Sequence, residues 1–360
     1  MRTSHPRARI ARLTLIAVGT AASCASAQWT VTNLAPPGSL DSIVNGVDGT
    51  HQGGTAQFIP NHAVIWTGSA GSYTDLHPAA QHASIVFGVG GGQQAGVTSG
   101  RGGPNHAALW SGTASSWIDL NPAGSTQSVA YGVNGGEQVG YARFAQPYHA
   151  ALWTGSAASF VDLNPPGPLM ASVAYATGGG QQVGYTRDGG GEYHASLWAG
   201  SAASWVDLDP AGSAGSWAWG VDSGQQVGWA VVAGVQRASL WTGSAASWVD
   251  LNPAGATASW AFGASGGYQA GFADVGGVRR ASVWNSTAGS WEDLSLDSPG
   301  YMETSATSIW TDGLTMYVGG QGLTIDGESV ALLWTRTVPS PGTTALLALG
   351  GLLAARRRRV

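Results

Sequence analysis

The chain has 360 residues and a formal net charge of −5, and all 15 of its basic residues are Arg. Eight Arg sit at the two ends, so residues 28–336 hold 7 Arg against all 20 Asp and Glu, a net −13, which excludes a nucleic-acid binder dependent on clustered cations. Only 10% of residues are charged, so few groups serve acid–base chemistry, whereas 56 Gly and 17 Trp exceed ordinary usage.

Residues 1–27 read as a secretory signal peptide. Arg2, Arg7, Arg9 and Arg12 form a basic start, Leu13–Ala22 a short apolar run, and Ala25-Ser26-Ala27 a small-x-small cleavage site that makes Gln28 the first mature residue. The apolar run is about half the ~20 residues that a spanning helix needs. Cys24, the only cysteine, leaves with the leader. A lipoprotein reading of Ala21-Ala22-Ser23-Cys24 lacks the bulky apolar residue expected three before the Cys. With no disulfide, stability rests on packing.

Residues 28–336 are built from one repeated unit. The tryptophan of a Leu-Trp-Thr/Ser-Gly element falls at Trp66, Trp110, Trp153, Trp198, Trp241, Trp284 and Trp334. Seven residues after the first six comes an aromatic (Tyr73, Trp117, Phe160, Trp205, Trp248, Trp291), and two later an Asp-Leu pair. A second element, clearest over 128–141, carries its first aromatic position at Asn45, Phe87, Tyr131, Tyr175, Trp219, Phe262 and Trp310, with a Gly nine residues on each time, ending at Gly319. In the third unit, four segments have strand character: Ser128–Val133, Gln138–Ala142, Ala150–Trp153 and Ser159–Leu163. Asn134-Gly135 signals a tight hairpin between the first two.

Four strands in about 44 residues is the size of a propeller blade; an open β-solenoid is the alternative. The chain start discriminates. Residues 31–38 match the fourth-strand motif, with Asn33 in the Asp place, and the last unit lacks a fourth strand after Trp334. Pairing the two removes both exposed edges. The expectation is an all-β, seven-bladed β-propeller over 28–336 closed by the N-terminal strand, with the signal peptide before it and a short hydrophobic helix after it.

The run Tyr131-Gly132-Val133-Asn134, Val139-Gly140-Tyr141, His149-Ala150, Leu152-Trp153 and Asp162-Leu163 resembles the extracellular HAF repeat, and the similarity spans nearly the whole body. The Phe of its His-Ala-Phe core is replaced by Val64, Ala108, Ala151 and Ser196, and the His by Arg237 and Arg280 in later copies. The resemblance implies a secreted repeat protein without a defined activity.

Residues 337–360 form a sorting or anchor segment: Val338-Pro339-Ser340-Pro341, an apolar stretch from Thr343 to Ala355, and Arg356, Arg357, Arg358 and Arg359. This order resembles the PEP-CTERM sorting domain, with Ser340 where the family has Glu. The resemblance implies membrane-borne transit, an exosortase-like processing partner, and delivery to the cell surface or exopolysaccharide. A plain C-terminal membrane anchor is the alternative, its basic cluster cytoplasmic by the positive-inside rule.

Loop lengths point to one rim. Links from second to third strand and from fourth to first vary, whereas the first and third hairpins hold their lengths, and variable loops on a rigid scaffold are where binding usually resides. The variable rim carries Arg101, Arg143, Arg187, Asp188, Glu192, Arg279 and the insertion 297–304. Four residues before each repeat Trp stand His62, His106, His149, His194, Arg237 and Arg280. They read either as a circlet for an anion or acidic sugar, or as partners of the fourth-strand acids in a structural network. Trp217, Trp229 and Trp260 depart from the repeat and are candidates for stacking on sugar rings.

No catalytic residue is assigned. Asp297 and Glu303 are the one close off-pattern acidic pair, and no motif for a metal or cofactor is present. The leading expectation is an exported, monomeric, non-enzymatic scaffold at the cell envelope, cell surface or extracellular matrix, touching membrane only through its terminal segments. Its partner would be an extracellular polysaccharide or a surface protein. A carbohydrate-binding lectin is the alternative, and a polysaccharide hydrolase or lyase a third.

Overall fold

The computed structural model describes residues 28–338 except 146 and 168–170. The leader, its cleavage-site Ala25 and Ala27, and the tail from Pro339 onward, including the apolar stretch expected to be helical, lie outside the described residues. None of the described helices is long and apolar enough to cross a membrane.

Each repeat folds as a four-stranded antiparallel sheet, and seven such blades form a β-propeller. In the third blade the strands are Gln127–Asn134, Glu137–Arg143, Tyr148–Trp153 and Val161–Asp162. The fourth strand is shorter than the sequence pattern implies, because Ala157–Ser159 winds into one turn of 3-10 helix. The Ser159 hydroxyl holds that turn, accepting from the Thr154 N–H and donating to the Ser156 carbonyl. In the first hairpin Asn134 still pairs with Glu137, so the loop is Gly135-Gly136, one residue on from the expected pair. Both glycines have positive φ (59° and 83°), which a two-residue hairpin of this kind demands.

The ring closes as the repeat arithmetic predicts. Thr30–Asn33 pairs antiparallel with Ser329–Thr337, completing the seventh blade. Asn33 lies opposite Leu332 just as Asp162 lies opposite Ala151 in the third blade. Trp29 clamps the end of this strand: the Arg336 guanidinium lies 4.3 Å from its ring centre, and its indole N–H donates to Glu292 at 3.2 Å.

The apolar core is a set of wedges between neighbouring blades. At each wedge the Leu of one blade's Asp-Leu pair meets the repeat Trp of the next: Leu76 with Trp110, Leu120 with Trp153, Leu163 with Trp198. Leu34, supplied by the chain start, joins Trp66 in the wedge between blades 7 and 1. All seven repeat Trp are 0% exposed, so indole burial is the dominant packing contribution at every interface. A hydroxyl near the start of each first strand, Ser in six blades and Thr304 in the seventh, reaches back to the preceding blade: Ser128 Oγ accepts from the Ala107 N–H and Ser172 Oγ from the Ala150 N–H, both at 2.9 Å.

The first strands are bulged, and the bulge explains the recurring glycine. A Cβ on Gly140 would lie 1.8 Å from the Val129 carbonyl oxygen, and one on Gly96 1.9 Å from that of Ile85. The bulged residues are Asn45, Phe87, Tyr131, Tyr175, Trp219, Phe262 and, in the seventh blade, Thr307. Here the structure corrects the sequence alignment, which placed Trp310 and Gly319 at these positions. The structural counterpart of Gly140 is Gly320, whose Cβ would meet the Ser305 carbonyl at 2.0 Å. The first hairpin of blade 7 is longer than the other six, and a count of nine residues back from a glycine stops short of the bulge.

Candidate functional site

The six His and Arg side chains of the circlet are engaged within their own blades. His62, His106 and His149 each place Nδ1 2.8 Å from a carboxylate oxygen of Asp75, Asp119 and Asp162, and His194 lies 2.9 Å from Asp207. Arg237 and Arg280 donate to Asp250 and Asp293 at 2.7 and 2.8 Å. The other oxygen of each acid accepts the backbone N–H two residues on, as Asp162 does from Asn164. The pair thus staples the third strand to the short fourth strand, the alternative that the sequence pattern left open. Among the described residues, none of the six hydrogen-bonds another. Burial works to lower the His194 pKa, but the hydrogen bond and charge of Asp207, with Asp209 and Asp188, outweigh it and hold the imidazole above its ordinary value.

Two of the three irregular tryptophans do not offer their faces. Trp217 stacks between Tyr193 (4.6 Å between ring centres) and Trp229 (4.0 Å), and Trp229 stacks on Trp260 at 4.9 Å. Trp217 and Trp229 are therefore covered on both sides, leaving no open π-face for a pyranose. On the same rim Arg143, Arg187 and Arg279 lie over Tyr148, Tyr193 and Phe272, so the rim cations are likewise drawn onto aromatic rings. Among the described residues Asp297 and Glu303 share no hydrogen-bond partner, and no group of three or more His, Cys, Asp or Glu is placed to hold a metal.

A cavity opens on the opposite rim, the one formed by the first hairpins. It encloses about 660 Å³ on the propeller axis. Its floor is the ring of bulged residues, which form a chain of aromatic contacts over five blades. Phe87 meets Tyr131 at 5.1 Å, Tyr131 meets Tyr175 at 5.0 Å, Tyr175 stacks on Trp219 at 3.9 Å, and Trp219 meets Phe262 edge-on at 5.5 Å. Asn45 and Thr307 complete the ring by donating to the carbonyls of Val86 (2.7 Å) and Val44 (2.5 Å). Glycine lets these inner strands converge: a Cβ on Gly132 would sit 2.8 Å from the Tyr175 oxygen of the next blade.

In six blades the lip of this cavity is built from the residue three after the bulge: Asp48, Gly90, Asn134, Asp222, Ser265 and Trp310; the fourth blade contributes Thr177 instead. Asp48 and Asp222 accept the Gly91 and Gly266 N–H groups of the neighbouring turns, at 2.8 and 2.9 Å. No Arg or His lines the cavity. Burial pushes the Tyr131 and Tyr175 phenols well above their ordinary pKa, so both are neutral hydrogen-bonding groups rather than phenolates. The sequence held a signal for this site. The floor position changes type from blade to blade, whereas the packing Trp never changes.

No family model and no curated protein sequence matches the chain. Solved structures with a similar fold include a puromycin hydrolase (13% identity, TM-score 0.54, over 87% of this chain and 57% of that one). A puromycin-hydrolyzing peptidase of Mycobacterium tuberculosis is similar over 86% of this chain and 54% of its own (15% identity, TM-score 0.54). The β-propeller domain of the trilobed protease of Pyrococcus furiosus, described as having an open velcro topology, is similar over 84% of this chain and 97% of its own (7% identity, TM-score 0.52). This chain spans little more than half the length of the two hydrolases. The expectation that it is not an enzyme is corrected by this comparison, because the propellers it superposes on belong to a hydrolase and to peptidases. A closed ring with an axial cavity is a scaffold on which chemistry can be mounted, so the lack of repeat-breaking catalytic groups in the blades was no ground for exclusion. At these identities the likeness shows the propeller fold alone.

Proposed function

We propose that this chain is an exported β-propeller recognition scaffold of the cell envelope, cell surface or extracellular matrix, and that its ligand seats in the axial cavity. The leader-like start, the PEP-CTERM-like tail and the HAF-type repeats support the address. The observation that carries the binding reading is the cavity itself: about 660 Å³, floored by five aromatic rings, with two carboxylates and no cation at its lip. The cavity exposes more polar than apolar surface, so a ligand would be held by hydrogen bonds as well as by the aromatic floor. The charge favours a neutral or cationic ligand and disfavours a polyanion, which turns the reading away from the acidic sugar suggested by the His/Arg positions.

The test is binding by the full chain of neutral oligosaccharides, acidic oligosaccharides and cationic peptides, with Asn134→Trp as the blocking variant. Blade 7 already carries Trp310 at the equivalent lip position, so the substitution has a precedent within the ring. Neutral or cationic probes are expected to bind and to lose at least tenfold in affinity in the variant. Exclusive binding of polyanions, or indifference to Asn134→Trp, refutes the assignment. A lectin-like reading within this proposal is favoured by the uncharged polar residues of the lip, Asn134 and Ser265.

A further inference from the structure

On the variable rim, second-strand residues form an inner tier around the axis. Blades 2 to 6 fill it with Val97, Tyr141, Tyr185, Trp229 and Phe272. At the same register blade 1 has Thr55 and blade 7 has Gln321. The facing first-strand positions, tryptophan in blades 5 and 6, are Ile43 and Ser305. The tier is thus breached at the two blades that meet at the ring closure, and the breach is a second pocket of about 300 Å³.

Its walls combine two kinds of surface. Ile43, Ile85 and Phe87 supply an apolar side, while Thr55, Gln57, Asn61 and Gln321 supply a polar one. The repeated His or Arg, Asp, Gln and Ser side chains of the blades are spent on staples and caps. Here, among the described residues, the Thr55 hydroxyl and the Gln57 and Asn61 amides make no side-chain hydrogen bond. Gln321 uses only its carbonyl oxygen, accepting from the Ser329 hydroxyl at 2.8 Å, which leaves its NH₂ free. The one carboxylate, Asp41, is bound to the Ser329 N–H at 2.7 Å. Free neutral donors and acceptors facing an apolar wall match a sugar ring, which has hydroxyls at its edge and C–H groups on its face. The pocket is too small for a folded partner, and its single negative charge disfavours an anion.

We propose that this breach is a binding subsite for one or two units of a neutral saccharide, separate from the axial cavity. The two sites stand back to back, sharing Asn45 and Phe87 as a common wall. The assignment sharpens the lectin-like reading above but does not depend on what the axial cavity holds.

The experiment is saturation-transfer NMR on the full chain with the methyl glycosides of glucose, galactose, mannose, N-acetylglucosamine and glucuronic acid. Thr55→Tyr and Gln321→Phe plug the breach with the residues that blades 3 and 6 carry at the same register, and circular dichroism confirms that each variant is folded. At least one neutral glycoside is expected to show transfer with the unmodified chain, and the part of that transfer that survives Asn134→Trp is expected to fall at least fivefold when either plugging substitution is added to that variant. The glucuronide is expected to be weaker than its neutral counterpart. Absence of transfer from every neutral glycoside overturns the proposal, as does transfer undiminished in both plugging variants. Transfer lost only in Asn134→Trp also overturns it, while leaving the axial reading intact.

Discussion

Blade 2 contains a defect that one hydroxyl should repair. In blade 4 the Ser196 hydroxyl lies 3.0 Å from the Trp205 indole nitrogen, 3.1 Å from the Thr186 hydroxyl and 3.0 Å from the His194 carbonyl. Ser239 and Ser282 likewise receive the indole N–H of Trp248 and Trp291. The equivalent residue in blade 2 is Ala108, and there both Trp117 Nε1 and Thr98 Oγ1 are buried without a partner. A buried unsatisfied polar group costs about 1–3 kcal/mol, and the new serine would satisfy two at once while burying its own hydroxyl. Ala108→Ser is therefore expected to stabilise the protein by about 1–3 kcal/mol, raising Tm by roughly 2–6 °C for a domain of this size. Ala151→Ser is the matched control. Its neighbours in those two places are Phe160 and Ala142, which need no partner, so it is expected to be neutral or destabilising. Differential scanning calorimetry on both variants decides the matter. An Ala108→Ser protein no more stable than Ala151→Ser would refute the reasoning.

The ring closure is tested with Trp29→Ala, expected to cost about 3 kcal/mol as a large core truncation and to speed hydrogen exchange in Ser329–Thr337; unchanged protection there would mean that Trp29 does not lock the seventh blade. Gly140→Ala should cost about 4 kcal/mol or more, since its Cβ meets backbone at 1.8 Å, whereas Gly135→Ala, with open space but φ of 59°, should cost about 1 kcal/mol; chemical denaturation of the two side by side checks the order. Two histidines should respond to pH in opposite senses. His194, raised overall, contributes stability that is full below its unfolded pKa of about 6.5 and lost as pH rises through its folded value, so His194→Gln should lower Tm more at about pH 5.5 than at pH 8. His77 is lowered by burial and by the His62 ring stacked on it at 4.1 Å. Its contribution is present above about pH 6.5 and lost on acidification, so His77→Asn, the residue blades 2, 3 and 5 carry there, should gain relative to the unmodified protein at about pH 5.5. Parallel Tm–pH curves for these two variants would contradict the assignment.

The sequence by itself determined the number of blades, their strand order and the closure of the ring. Each of these follows from interactions that recur inside one unit or between adjacent units. A Trp needs a Leu from the blade before it, a bulge needs a glycine opposite, and a short fourth strand needs its Asp, so spacing alone betrays them. Asn33, standing twelve residues before Asn45 as Asp119 stands before Tyr131, was enough to close the circle. Where one blade departed from the common length, the same logic failed, and Thr307 was hidden behind Trp310. Only the tertiary structure decided which rim holds the axial cavity, that Trp217 and Trp229 spend their faces on each other, and that blades 7 and 1 leave a gap beside Thr55. The physical reason is that these features are made by equivalent positions brought side by side across the axis. A linear repeat records what each unit does for its neighbour, but not what seven units enclose together.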